Sequence, residues 1–126
     1  MLAVVQLMAA LAGLVHVYIF VLESIRFTDP KVHRRLFRVA ESDLSAVRNW
    51  AYNQGFYNLF LAIGAIAGAG LVRSYPATGW ALIVLACGSM LAAAVVLITT
   101  DRAMLRSAIV QGMFPALTLL AGLTQL

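Results

Sequence analysis

The sequence predicts an all-α membrane protein: four transmembrane helices in an up-down-up-down bundle, with a short amphipathic helix in the first cytoplasmic loop. Three observations carry this. The 126 residues are 63% apolar and only 11% charged, whereas a soluble domain keeps roughly a quarter of its residues charged. Mean hydropathy is +0.92, and the apolar residues gather into four segments at about 2–27, 51–72, 79–99 and 103–126, each near the ~20 residues that cross a bilayer. The connections are short, which favours antiparallel neighbours. The spans use most of the chain, so residues 1–126 read as one domain with no room for a separate soluble catalytic unit.

The first segment has no lysine or arginine ahead of its apolar run, which continues to Phe27. The small residues Ala10-Leu11-Ala12 therefore read as part of a retained helix and not as a cleavage site. His16 and Glu23 sit inside a stretch otherwise suited to lipid. Ionisable groups at the bilayer centre cost roughly 2.5–3.5 kcal/mol each on insertion scales, so they face a protein interior or a wet cavity. At about 100° per residue, Ala9, Ala12, Gly13, His16, Phe20 and Glu23 share one face; small residues on such a face admit a neighbouring helix. His16 and Glu23 are ~10.5 Å apart along the axis, too far for a simple ion pair. Gln54 or Asn53 is the expected partner of Glu23, and Asn58 or Gln111 that of His16. Arg26, three residues on, is an alternative partner for Glu23.

Residues 28–50 form a basic stretch. Thr28 or Asp29 can cap a helix with Pro30 in its first turn. Lys31, Arg34, Arg35 and Arg38 then share one face and Val32, Leu36 and Val39 another. Such a helix lies in the headgroup layer and favours anionic lipid; next to a span this is the reading of a basic run, and no nucleic-acid partner is expected. On the second span Gln54, Asn58, Leu61, Ala65 and Gly68 align, with Asn53 and Tyr57 beside them. After a turn at 73–79, the third span offers only a packing strip of Gly88, Ala92 and Thr99. The fourth aligns Met104, Ser107, Gln111, Pro115, Thr118 and Gly122. Pro115 has no N–H to bond the carbonyl four residues earlier, that of Gln111, so water or a ligand can use that acceptor.

The nine Lys/Arg residues are divided unevenly: eight lie in the first and third connections and only Arg73 in the second. The positive-inside bias puts loops 28–50 and 100–106 in the cytoplasm and both termini outside, in the inner membrane. Trp50 and Tyr52 would mark the inner interface, Tyr75 and Trp80 the outer. Polar groups from three helices then converge in the inner half of the bundle. Cys87 is the only cysteine, which excludes an intrachain disulfide and a cysteine metal cluster. His16 and His33 are too far apart for a zinc pattern, and no phosphate loop or nucleophile elbow is present. No metal or cofactor is expected; haem on His16 as a single axial ligand is the one variant, and no second ligand is offered by the other helices.

The runs His16-Val-Tyr18-Ile-Phe-Val-Leu-Glu23 and Asn53-Gln54-Gly55-Phe56-Tyr57-Asn58, with Gln111 and Pro115-Ala116, resemble a family of small four-helix membrane proteins catalogued as domain of unknown function 1304. The resemblance covers nearly the whole chain, and the Asn-Gln-Gly-aromatic-Tyr-Asn run is its most specific element. It implies an integral membrane protein of this size with no established reaction; some members carry enzyme-like labels such as epimerase.

The expectation is a cytoplasm-facing polar pocket for a small lipophilic or amphipathic molecule. Its acid/base pair is His16 and Glu23, and its binding residues are Tyr18, Asn53, Gln54, Tyr57, Asn58, Gln111 and Pro115. Isomerase- or epimerase-type chemistry suits such a site. The alternatives are a small oligomeric transporter or channel, and a structural membrane protein without turnover in which the amides cement helices. Membrane lipids and a small lipophilic ligand are the expected partners. The strips Gly64–Gly68 and Gly88–Ala92 would serve a homo-oligomer.

Overall fold

A computed structural model describes residues 1–125, and every regular element among them is helical. Helix α1 spans Leu2–Phe20 and continues as a wide π turn over Val21–Ile25. Helix α2 spans Leu44–Leu71, α3 Pro76–Thr100 and α4 Leu105–Leu123. Together with their flanking turns, four helical runs of 24, 31, 25 and 22 residues are long and apolar enough to cross a membrane. At ~1.5 Å per residue even the shortest spans about 33 Å, beyond the ~30 Å hydrocarbon layer.

α2 begins at Leu44, seven residues before the apolar segment read from sequence. Its first two turns present Leu44, Val47 and Ala51 to a small apolar cluster of Leu22, Phe27 and Val32. Burial of that stripe keeps the charged segment helical. α3 starts with Pro76 in its first turn, where the missing N–H has no intrahelical partner to lose. Asp101 caps the short 3-10 turn Arg102–Met104, accepting from the Ala103 N–H at 2.9 Å.

α1 packs on α2 and α4, α3 packs on the same two, and α1 and α3 face each other diagonally. Gln6 near the start of α1 donates to the Ala69 carbonyl near the end of α2 at 2.7 Å. Ser24 at the other end of α1 donates to Tyr52 O at 2.7 Å. Between these contacts lies a core of small and aliphatic residues, including Ala9, Ala12, Ala65, Ile83, Ala86 and Met90. Where α2 turns into α3, Gly79 lies against the backbone of Val72, and no side chain fits there. Leu7, Leu14, Ile63, Leu85, Val96 and Leu120 point outward; an apolar exterior on this scale suits lipid and not water.

The first connection is more folded than an amphipathic surface helix. One wide turn, Lys31–Leu36, is followed by Arg38 at φ 59 and by a 3-10 turn Glu41–Asp43. Lys31, Arg34, Arg35 and Arg38 are exposed and Val32 is buried, as the predicted faces require, but Leu36 is exposed and Val39 only half-buried. The positive φ at Arg38 ends the helical path. Of the two small-residue strips, Gly64–Gly68 packs within the chain, Gly64 near Ala86 and Gly68 against Ile83, whereas Gly88 has open space beside it.

Candidate functional site

The face predicted for α1 is the face that turns inward: Ala9, Ala12, Gly13, His16 and Glu23 are buried and Phe20 is half-buried. Glu23 retains 8% of its surface, within the π turn. Such turns add a residue to the helical ring and often accompany functional sites. Its position is fixed from α2. Ser24, next in sequence, crosses Gly55 to reach the Tyr52 carbonyl, and a side chain at position 55 would collide with Ser24. This close crossing explains the glycine in the middle of the Asn53–Asn58 run.

Glu23 Oε1 accepts from Asn58 Nδ2 at 3.3 Å, and the same amide nitrogen lies 3.3 Å from the Gln54 carbonyl. Oε2 of Glu23 is buried and has no hydrogen-bond partner among the described residues. The partner expected from sequence was the Gln54 or Asn53 side chain; both are exposed, and only the Gln54 backbone takes part. Arg26 does not reach Glu23 either. It turns to Asp29 at 3.2 Å.

His16 is 2% exposed, and its Nδ1 meets the Ala12 carbonyl of its own helix at 2.9 Å. The interhelical bond expected from Asn58 or Gln111 is not formed: Asn58 is used by Glu23, and half-buried Gln111 makes no side-chain hydrogen bond among the described residues. Pro115 is buried inside α4. Thr118 is buried too, its hydroxyl returned to Phe114 O at 2.8 Å. Tyr18 and Tyr57 are exposed. The predicted residues therefore split into an inner group (His16, Glu23, Asn58, Pro115, with Gln111 at its margin) and an outer group (Tyr18, Asn53, Gln54, Tyr57). Two apolar grooves of about 490 and 280 Å³ run between α3 and α4, the larger beside Trp80 and Leu119, the smaller beside Ala108 and Gly112. Neither is lined by any of these residues.

From sequence, His33 carries no assigned role beyond being too far from His16 for a zinc pattern. It is fully buried beneath the first connection, Nδ1 2.9 Å from Val39 O and Nε2 3.3 Å from a Glu41 carboxylate oxygen, the latter not aligned as a hydrogen bond. No spacing rule links positions 33, 39 and 41, so nothing in the sequence announced the contact. Asp29 organises the start of the same connection. The Lys31 backbone N–H, bonded to its carboxylate at 2.9 Å, holds its pKa below the usual carboxylate range, and Arg26 adds to this. No group of three or more His, Cys, Asp or Glu side chains among the described residues is placed to hold a metal ion.

The family described as "Protein of unknown function (DUF1304)" matches residues 10–123. No curated protein and no solved structure matches the chain.

Proposed function

This chain belongs to the DUF1304 family of proteins of unknown function, and we propose that it is a membrane protein whose Glu23 face binds a small lipophilic or amphipathic molecule and moves a proton on it. The observation that carries this reading is the Glu23 carboxylate, held by Asn58 through one oxygen and buried at the other without a partner among the described residues. A buried polar atom left unbonded costs about 1–3 kcal/mol. Retaining one calls for a compensating use, and a bound molecule supplies it. In the reaction we favour, one proton leaves the ligand for Glu23 and one is returned at a neighbouring atom or on the opposite face, as in isomerisation or epimerisation. His16 is the second proton carrier, on the same face and ~10.5 Å away along the axis.

The reading includes an up-down-up-down arrangement in the inner membrane, with both termini outside. Its support is the pairing of Gln6 with Ala69 at one end and of Ser24 with Tyr52 at the other, and the eight exposed basic residues on the connections at the Glu23 end. Those cations suit anionic lipid headgroups. A homo-oligomer would use the open strip at Gly88.

The test works on a ligand of unknown identity. Protein is purified in nanodiscs, incubated in D2O, and the co-purifying lipophilic molecules are measured by mass spectrometry. A species retained by wild type, lost from or unlabelled in Glu23→Gln, and carrying deuterium on carbon supports the proposal; identical extracts from both refute it. One second reading has a specific observation in its favour. His16 and Asn58 each bond a carbonyl of their own helix, as purely structural polar residues would. If that reading is correct, Glu23→Gln leaves the extract unchanged.

A further inference from the structure

The hydrogen-bonding polarity of this face identifies the class of molecule it takes; the inference rests on the binding reading above. His16 Nδ1 lies against the Ala12 carbonyl at 2.9 Å. A carbonyl only accepts, so Nδ1 carries the ring proton, and Nε2 of the neutral ring is left as an acceptor. Glu23 Oε2 is a second acceptor without a partner. Asn58 Nδ2, which reaches Glu23 from α2, is already committed to Glu23 Oε1 and the Gln54 carbonyl. Arg26, three residues on in sequence, is committed to Asp29. Half-buried Gln111 on α4, whose amide carries both donors and an acceptor, makes no side-chain hydrogen bond to Glu23 or His16 among the described residues. Among the described residues the face thus offers acceptors in excess and no free positive charge.

We propose that this site selects amphiphiles whose head donates hydrogen bonds, an alcohol or a protonated amine on an apolar body, and turns away anionic heads. A donor head would satisfy Oε2 directly, while its apolar body lies along Phe20, which stacks edge-on against Phe56 with ring centres 5.0 Å apart. A carboxylate or phosphate head would bring two more acceptors and a like charge to the same spot.

The experiment uses the full chain in zwitterionic nanodiscs and three diazirine photoprobes of equal chain length, headed by an alcohol, an amine and a carboxylic acid. Labelled peptides are mapped by mass spectrometry. The alcohol and amine should label the peptides around residues 16–24 and 52–60 at least about tenfold more than the acid, the worth of one unmade hydrogen bond to a buried charged group. Glu23→Gln, whose amide can donate, should erase that discrimination. The wild-type comparison decides the point even if the variant folds poorly. Labelling by the acid that equals or exceeds the alcohol, and that depends on Glu23, overturns the ligand class and leaves the site standing. Labelling that ignores Glu23 for all three probes overturns the site as well.

Discussion

Glu23 and Asn58 form one interhelical contact but should respond very unequally to mutation. Replacing Asn58 with Leu removes the only donor that a buried carboxylate has among the described residues. Stranding such a group costs about 1–3 kcal/mol. The 3.3 Å bond is slightly longer than the usual range, so the expected loss is in the lower half, about 1–2 kcal/mol. Replacing Glu23 with Leu removes the stranded oxygen together with the acceptor. Asn58 keeps the Gln54 carbonyl, so only the interhelical bond is lost, ~0.6 kcal/mol on average in a bilayer bundle. Relief of the unbonded oxygen offsets that, and Glu23→Leu should be neutral or slightly stabilising. In the double variant neither polar partner remains to be stranded, giving a coupling of about 1–2 kcal/mol in the cycle. Equilibrium unfolding in mixed micelles, followed by circular dichroism, measures all three. Should Glu23→Leu destabilise as much as Asn58→Leu, the carboxylate is a structural support and the case for a binding role fails.

Three further outcomes follow from the geometry. Gly55→Ala places a methyl group into Ser24 and should cost about 1–3 kcal/mol as the helices part, whereas Gly70→Ala and Gly88→Ala, with open space around them, should be neutral or gain about 0.5–1 kcal/mol from helix propensity; thermal unfolding in one detergent compares them. Arg38→Gly should be neutral or stabilising: it relieves about 1 kcal/mol of left-handed strain and gives up only a 3.9 Å exposed contact with Asp101, worth about 0–1 kcal/mol. Because the folded pKa of Asp29 is depressed, its contribution is present above the ordinary carboxylate range and is lost as pH falls through the folded value. Limited proteolysis of the first connection should therefore accelerate in acid below that range, and Asp29→Asn should be fast at neutral pH and insensitive to acid.

Much of the fold could be read from the amino acids because lipid imposes simple rules. Length and apolarity locate four spans, and the alignment of Ala9, Ala12, His16 and Glu23 identifies the inward face of α1. Depth was harder. Side chains on a helix lean toward its N-terminus, so Glu23 leans further into the bundle while Asn58, on a helix running the other way, leans back to meet it. Level with Glu23 in the backbone are Tyr52 and Gly55, marked by the Ser24 contact, and for that reason the amides of Asn53 and Gln54 are not the ones that reach it. The start of α2 was hidden by Asp43 and Arg48, charges that suggest a loop until Leu22 and Phe27 provide something for Leu44 and Val47 to cover. His33 was unreadable because its partners come from turns whose path depends on one left-handed residue, Arg38.

The cluster of Phe27, Val32 and His33 beneath the first connection has a practical consequence for anyone wishing to attach a fluorescent protein, an epitope or a crystallisation chaperone. That connection is the longest in the chain and would be the usual choice for a graft, yet cutting it would open an apolar cluster next to Glu23. The turn at Arg73–Tyr75, exposed at the opposite end, is the better port: a cargo placed after Ser74 leaves both the Glu23–Asn58 pair and its floor untouched.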